Sequence, residues 1–148
     1  MQIGELSKAT ETAIETIRFY EREQLIPSAE RTTGNYRIYS TSHLEQLRFI
    51  RNCRALDMSL EEIRELMDLR EQGDGNCHEV DLVLDRHLEH VSNRIKELRR
   101  LEKELRAIRE SCGESRTMKD CRILGTLSSK REEAMPVSRK HAATSHPR

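Results

Sequence analysis

The stretch RTTGNYRIYS, residues 31–40, breaks an otherwise helical pattern and decides the fold that the sequence predicts. Its centre, Gly34-Asn35, is a dipeptide typical of tight turns. The flanking β-branched or aromatic residues are Thr32, Thr33, Tyr36, Ile38 and Tyr39. Side chains of these types on both sides of a turn favour paired strands. We therefore predict a short antiparallel hairpin, or wing, at this position.

Helical segments lie on both sides of the wing. Ile3 to Ala9 predicts a short helix, and three further helix starts show a capping box, in which Ser or Thr stands three residues before Glu. These pairs are Thr12/Glu15, Ser42/Glu45 and Ser59/Glu62. A tight turn separates the first two helices, which is the spacing of a helix-turn-helix. We therefore predict that residues 1–72 form a winged helix-turn-helix head with its linking helices.

A long helix with a narrow apolar seam follows at residues 76–112, with Asn76 as its predicted cap. The seam residues are Val80, Leu84, Leu88, Val91, Ile95, Leu98, Leu101, Leu105 and Ile108. A helix of this length cannot bury such a seam by itself, so it needs a partner helix. The predicted fold is mainly α, with the winged head joined to a long antiparallel dimerisation coiled coil. Residues 113–127 are predicted as a loop and a short turn, and residues 128–148 as a flexible tail.

The composition excludes several classes of protein. The 148 residues carry 26 acidic and 26 basic side chains, so any basic surface for nucleic acid must be local. The sequence has no glycine-rich phosphate loop and no nucleophile–base motif, so we do not expect an enzyme. It also lacks a signal-like segment and an apolar run long enough to span a membrane. We therefore expect a cytoplasmic protein.

Three cysteines mark the two ends of the long helix. Cys77 lies at its start, whereas Cys112 and Cys121 lie at its end and in the following loop. A helix of this length separates its ends by about 50 Å, so one chain cannot bring the three thiols together. If two chains pair antiparallel along the seam, Cys77 of one chain lies beside Cys112 and Cys121 of the other. The sequence therefore predicts two equivalent three-thiolate sites in a homodimer.

The thiols favour soft or borderline metal ions, which include Cd, Pb, Hg and Zn. Zn usually takes a fourth ligand, and the adjacent His78 points elsewhere on the helix. The alternative is that Cys112 packs as one more apolar seam residue. Cys53, within RFIRNCRAL, is predicted to be an ordinary packing residue.

Several motifs together resemble the MerR family of metal-responsive regulators. They are IGELSKAT, ETIRFYEREQLI, RTTGNYRIY, LRFIRNCRALDMSLEEI and the long helix with its cysteine loop, which cover roughly residues 1–125. The cysteine positions resemble the cadmium/lead branch, the CadR and PbrR type, although mercury sensors use a similar trio. The resemblance implies Cd(II) or Pb(II) as the inducer, with Zn(II) or Hg(II) as alternatives. It also implies a dimer that distorts double-stranded promoter DNA so that RNA polymerase can use an overlong spacer.

The resemblance also implies a set of DNA contacts. These residues are Thr16, Arg18 and Tyr20 in the second helix, Arg31 before the wing turn, and Asn35, Tyr36, Arg37 and Tyr39 in the rest of the wing. Arginine supplies bidentate donors, and tyrosine and asparagine donate to phosphate oxygens. The alternative for Tyr20 and Tyr39 is that they pack the core of the head.

Four histidines predict an auxiliary metal site. His87 and His90 stand three residues apart on one face of the long helix, and His141 and His146 lie in the tail. Imidazoles suit Zn or Cd, and the cadmium-sensor relatives suggest a similar histidine-containing site. The alternative is that these are solvated surface histidines.

Two other functions compete with a metal-sensing regulator. A cytosolic metal buffer or chaperone would use the thiols without DNA, but it would need neither the wing nor the helix-turn-helix. A member of the same family specific for mercury or zinc would share every motif. Oxidation sensors would carry a cluster of cysteines in the loop, and drug sensors would append a ligand domain, which this chain does not have room for.

Overall fold

A computed structural model describes residues 1–113 and 117–129 of the chain, and this part is mainly helical. Its helices are α1 (Ile3–Thr10), α2 (Ile14–Arg22), α3 (Thr41–Ala55), α4 (Leu60–Gln72), α5 (His78–Glu110) and α6 (Arg122–Ser128). A 3-10 turn, Met118–Asp120, precedes α6. The strands β1 (Glu30–Arg31) and β2 (Arg37–Ile38) pair antiparallel between α2 and α3. The predicted helices, long helix and wing are therefore confirmed.

The described chain divides into two compact units, one ending at Val83 and one beginning at Leu84. The first unit extends further than the head predicted at residues 1–72. The reason is that Val83, on the second turn of α5, is buried and belongs to the same apolar cluster as the head core. Val83 is not one of the predicted seam residues of α5, so the seam pattern did not indicate its place in this cluster.

The core of the head joins residues from α1 to α4. Leu6, Ile17, Ile50 and Ile63 are fully buried, one from each of these helices. The other buried apolar residues of the cluster are Tyr20, Leu25, Ile26, Tyr39, Leu47, Cys53, Met58 and Val83. Their burial supplies the main driving force for folding of the head. Through Ile17, Tyr20 and Tyr39 it also holds α2 and the end of the wing in the same unit.

Helix capping agrees with the sequence at one of the three predicted sites. The Ser59 backbone N–H donates to Glu62 Oε1 at 2.9 Å, and the Glu62 N–H donates to Ser59 Oγ at 3.2 Å. The other two predicted caps are wrong. Helix α2 begins after Ala13 without a side-chain cap, and α3 begins after Ser40, two residues before the predicted Ser42.

Two arginines hold the C-terminal ends of the first two helices. Arg51 of α3 donates to the Thr10 carbonyl at 3.1 Å and pairs with Glu11, which follows α1. Arg64 of α4 donates to the Glu23 carbonyl, which ends α2, at 2.8 Å. The carbonyls at a helix end lack partners within the helix and carry partial negative charge, so cations there are stabilising. The linking helices therefore fix where α1 and α2 end.

Helix α5 spans 33 residues and leaves apolar side chains open to solvent. Leu88 and Leu105 are each 66% exposed and Leu98 is 50% exposed, all on the predicted seam. Asn76 is confirmed as a cap because its Oδ1 accepts a hydrogen bond from the His78 N–H at 2.9 Å. In the part of the chain described, no helix is both long enough and apolar enough to cross a membrane.

Candidate DNA interface and metal centre

The wing is a tight hairpin whose turn is closed by backbone and side-chain hydrogen bonds. The Thr32 N–H donates to the Tyr36 carbonyl at 2.9 Å, and the Asn35 N–H donates to the Thr32 carbonyl at 2.9 Å. Asn35 adopts a positive φ of 64°, which asparagine tolerates better than most residues. Gly34 acts differently, since a Cβ there would lie 3.1 Å from the Tyr36 ring and would make that exposed ring shift.

Two arginines stand directly opposite each other on the wing. In the β1–β2 register Arg31 pairs with Arg37, and both are exposed. Like charges in a direct cross-strand pair destabilise a sheet. Arg31 Nη1 donates to Asn35 Oδ1 at 3.0 Å, so its guanidinium is oriented but not neutralised by this contact. Such a pair provides a local positive charge in a chain with no net charge.

The predicted DNA contacts separate by burial into two groups. Arg18, Arg31, Asn35, Tyr36 and Arg37 are exposed, and Tyr36 is 69% exposed. Thr16, Tyr20 and Tyr39 are buried, so the core-packing alternative describes the two tyrosines. The small head needs large side chains for its core, and Tyr20 and Tyr39 supply two of them. These three side chains do not face outward in this structure, and contact of any of the eight residues with DNA remains a prediction.

Tyr39 joins the wing to α2. It is 1% exposed, and its hydroxyl donates a hydrogen bond to Glu21 Oε1. Burial first and this hydrogen bond second raise the pKa of Tyr39 from 10.0 to about 12. The Arg37 and Arg18 guanidiniums act in the opposite direction on this pKa, so both are close enough to influence the phenol. Tyr39 therefore lies near charged groups of both α2 and the wing, with the Glu21 carboxylate as its direct partner.

Sequence reasoning missed His43 at the base of the wing. It is buried and takes the third position of α3, where a capping box normally has Glu or Gln. Its Nδ1 accepts a hydrogen bond from the Ser40 backbone N–H at 3.0 Å. The Ser-x-x-His spacing of Ser40 and His43 was the signal that could have revealed this cap.

The three predicted metal-binding cysteines are accessible thiols that flank α5. Cys77 is exposed and immediately precedes α5, and its carbonyl accepts the Asp81 N–H at 2.9 Å. Cys112 and Cys121 are half-buried beyond the other end of the helix. The 33 residues of α5 extend for about 50 Å, so one chain does not bring Cys77 to the other two thiols.

The local structure positions two of these thiols in different ways. The loop before Cys77 turns through Gly73 and Gly75, with φ values of 63° and 85°, which favour glycine. Cys121 follows the 3-10 turn and is the N-cap residue of α6, where its carbonyl accepts the Gly125 N–H at 3.0 Å. The turn itself is held by Thr117 Oγ1, which donates to Asp120 Oδ2 at 3.0 Å.

Cys53 is separate from this group of thiols. It is buried in the core of the head, and burial raises the pKa of its thiol above the usual value. A buried thiol with a raised pKa is a poor metal ligand, because metals bind the thiolate. The prediction that Cys53 is a packing residue is therefore confirmed.

The histidines of the predicted auxiliary site are only partly described. His87 is buried and His90 is exposed on α5, and their ring nitrogens approach within 4.8 Å of each other. Because His87 is buried, the alternative of solvated surface histidines does not describe this residue. His141 and His146 lie outside the described residues.

Two family models match the chain, and together they cover residues 1–108. A model described as MerR HTH family regulatory protein matches residues 1–69, and one described as MerR, DNA binding matches residues 44–108. The chain belongs to the MerR family. Its members are transcription regulators and not enzymes, which confirms the expectation that this protein is not an enzyme. The match includes DNA-binding elements, so it does not support a metal buffer that lacks them.

Individual MerR-family proteins resemble the chain over most of its length. HTH-type transcriptional regulator ZntR homolog of Haemophilus influenzae is 46% identical over 110 residues, which are 74% of this chain and 82% of that protein. The crystal structure of PbrR691 from Ralstonia metallidurans CH34 in complex with lead(II) is 47% identical, with a TM-score of 0.76 over 86% of this chain and 99% of that one. MerR of Bacillus megaterium MB1 in complex with mercury(II) is 29% identical, with a TM-score of 0.67 over 87% and 100%.

Proposed function

We propose that this MerR-family regulator is a homodimer that responds to a soft metal ion, Cd(II) or Pb(II), with Zn(II) or Hg(II) as alternatives. The ion would bind Cys77 of one chain together with Cys112 and Cys121 of the other. The observation that carries this proposal is the placement of accessible thiols at both ends of a helix whose apolar seam is exposed. Only a second chain can unite thiols separated in this way.

The exposed leucines of α5 support an antiparallel dimer. Leu88, Leu98 and Leu105 are each at least half exposed, although a fully buried leucine contributes about 1.5–3 kcal/mol to stability. Their spacing in alternating steps of three and four residues is that of a coiled-coil seam. Antiparallel pairing sets the start of one helix beside the end of the other, which is the arrangement that the three thiols require.

The chemistry of the ligands supports a soft ion. Three thiolates favour Cd, Pb or Hg, whereas Zn usually takes a fourth ligand. The similar PbrR691 holds lead(II), and the similar protein of Bacillus megaterium holds mercury(II). The higher identity to PbrR691 than to the Bacillus megaterium protein supports Pb(II) over Hg(II) as the ion for this chain.

The charges on the head support binding to promoter DNA through α2 and the wing. Arg31 and Arg37 stand opposite each other without a neutralising acid in the contacts described, so an anionic partner would relieve their repulsion. Arg18 adds a third exposed guanidinium near Tyr39. We assign direct contacts to Arg18, Arg31, Asn35, Tyr36 and Arg37. The buried Thr16, Tyr20 and Tyr39 would act by holding α2 and the wing in place.

Metal binding would act on DNA shape. A regulator that favours a distorted promoter must bind that DNA conformation better in its metal-loaded form than in its metal-free form. In that distorted conformation, both promoter elements would be placed so that RNA polymerase can bind them. The auxiliary site is also proposed: His87 and His90 would provide two imidazoles, and His141 and His146 could complete the set of ligands.

The test of the shared site is complementation between two defective chains. Cys77→Ser and Cys112→Ser homodimers should each lack both thiolate sites, whereas the mixed heterodimer should regain one intact site. Equilibrium titration with Cd(II) and Pb(II), monitored by the thiolate-to-metal charge-transfer absorption, would give the number of sites per dimer. Cys53→Ala is the control because its thiol is buried in the head, and this variant should bind metal normally.

Two results would contradict the shared site. One is normal metal binding by either single variant, since each would have lost a ligand in both sites. The other is an inactive heterodimer formed from chains that fold and dimerise normally. Transcription from a responsive promoter, measured with each metal in turn, would then identify the inducer.

A further inference from the structure

His43 bridges the two ends of the wing. Its Nδ1 accepts the Ser40 N–H at 3.0 Å and lies 2.9 Å from Ser40 Oγ, while its Nε2 lies 3.0 Å from the Pro27 carbonyl oxygen. Pro27 precedes β1 and Ser40 follows β2. The imidazole is 4% exposed, so these contacts are shielded from water. One side chain of α3 therefore joins the segment that enters the wing to the segment that leaves it.

The partners determine which nitrogen of His43 carries the proton. A backbone N–H can only donate, so Nδ1 must be an acceptor and unprotonated. A carbonyl oxygen can only accept, so Nε2 must carry the hydrogen that faces Pro27. The uncharged Nε2–H tautomer satisfies both contacts. Glutamate, which is common at this position of a capping box, could accept from Ser40 but could not donate to Pro27.

His43 belongs to a set of contacts at the base of the wing. The Tyr39 ring meets the His43 ring edge-on, with centroids 5.2 Å apart and an interplanar angle of 82°. Tyr39 also exchanges two backbone hydrogen bonds with Met1, each 2.8 Å long. Beyond this base only two residues from each strand pair, so the hairpin itself has little intrinsic stability.

We propose that His43 is a positioning residue for DNA binding, which holds the wing at the angle needed for its arginines to reach phosphate. The inference rests on the proposed role of the head in DNA binding, but it assigns a function to a residue that touches no DNA. Loss of the Pro27 contact removes the side-chain tie at the entry to the wing, where the packing of Ala29 on the core and the strand pairing remain. The guanidiniums of Arg31 and Arg37 then sample more orientations, and ordering them on DNA costs conformational entropy.

The first experiment needs no DNA. Correlation of the imidazole nitrogens and protons by NMR in the full-length protein should show His43 with a protonated Nε2 and an unprotonated Nδ1. In His43→Glu, amide hydrogen exchange of Thr32 and Tyr36 should accelerate by about tenfold, while amides of α4 keep their protection. His43→Gln retains a donor for Pro27 and should lie closer to the wild type.

The second experiment is a double-mutant cycle on DNA. The probe is a labelled duplex that the purified wild-type protein selects from a random-sequence pool. His43→Glu should weaken binding by about tenfold in the wild-type background and in Arg18→Ala, whose side chain belongs to α2. The loss should fall to about twofold in Arg37→Ala, because a misplaced wing matters less once its arginine is gone. His43→Ala, which adds no negative charge, controls for electrostatic repulsion.

The outcomes separate this proposal from the function of the head. Wild-type exchange rates in His43→Glu, or a proton on Nδ1, would overturn the positioning role even if DNA binding is intact. Equal losses in the Arg18→Ala and Arg37→Ala backgrounds would also overturn it, since His43 would then act on the head as a whole. If Arg18→Ala and Arg37→Ala bind the duplex as well as the wild type does, the proposed DNA interface is wrong. The tautomer and exchange measurements would still show whether His43 holds the wing in position.

Discussion

The Tyr39 hydroxyl donates a hydrogen bond to Glu21, so the last residue of the wing is tied to α2, eighteen positions earlier in the chain. The pair lies where the two elements proposed to contact DNA meet. Because Tyr39 is buried and its partner is an acid, the neutral phenol is favoured in the folded head. The contact therefore stabilises both the fold and the relative placement of α2 and the wing.

Tyr39→Phe should destabilise the head in a pH-dependent way. The folded pKa of Tyr39 is about 12, above its ordinary value of 10.0, so its stabilisation is complete below pH 10 and declines as the pH rises through 12. The free energy of unfolding of the wild type should exceed that of Tyr39→Phe near pH 8, and the difference should shrink between pH 10 and 12. Urea denaturation at several pH values measures this difference, and a constant difference across that range would refute it.

Arg18→Ala should weaken binding to the selected duplex by about fivefold or more, since a good arginine contact is worth about 1–3 kcal/mol. Metal affinity should not change, because the cysteines flank α5 and not α2. Arg22→Ala removes the same charge from the last turn of α2 and is the matched control. Fluorescence anisotropy at fixed salt measures both variants. If Arg18→Ala and Arg22→Ala weaken DNA binding equally, Arg18 contributes only its charge and makes no specific contact.

Leu105→Glu should shift the protein from dimer to monomer at micromolar concentration. Residue 105 is a leucine of the exposed seam, and a charge buried between two helices without a partner is strongly unfavourable. Lys103→Glu introduces the same side chain at an exposed position of α5 outside the seam, and this variant should remain dimeric. Sedimentation equilibrium distinguishes the two states. A dimeric Leu105→Glu protein would exclude this seam as the interface.

Gly34→Ala should impair DNA binding without unfolding the head. The added Cβ would lie 3.1 Å from two carbons of the Tyr36 ring, which is exposed and can move aside. We expect a stability change within about 0.5 kcal/mol but several-fold weaker binding, because Tyr36 is a proposed contact. Gly4→Ala, whose Cβ would meet no atom within 4 Å, controls for the loss of glycine flexibility. Wild-type affinity in Gly34→Ala would remove Tyr36 from the interface.

Metal should change the shape of bound DNA more than its affinity. Chemical footprinting of the selected duplex should show new reactive positions with the Pb(II)- or Cd(II)-loaded protein, while affinity changes by less than about tenfold. The Cys112→Ser homodimer, titrated in parallel, should keep the metal-free pattern. Identical footprints with and without metal would argue against activation by distortion.

Local sequence patterns were sufficient for most elements of the fold. The Gly34-Asn35 turn located the wing, and the Ser59/Glu62 box located α4, because both depend on neighbouring residues alone. The start of α3 was predicted two residues late. Two overlapping frames fit its sequence, and the choice of Ser40 with His43 is reinforced by a contact with Pro27, which lies 16 residues away from His43.

The candidate sites were less accessible to sequence reasoning. Tyr39 carries a polar group on an apolar ring, so its sequence position fits either a DNA contact or the core, and only the tertiary contact with Glu21 favours the core. The three thiols were predicted as metal ligands from their positions at the two ends of α5. Their union requires a second chain, which no pattern within one chain can test.

The exposed leucines of α5 have a consequence for how much of this regulator a cell must make. If Leu88, Leu98 and Leu105 are buried only in the dimer, part of the folding free energy depends on the concentration of the chain. At low concentration the chain would then be monomeric for a larger fraction of the time, with its long helix partly unfolded. Proteases cleave such unfolded segments. Turnover would be fastest when expression is lowest, so each increase in synthesis would also lengthen the lifetime of the chains already present.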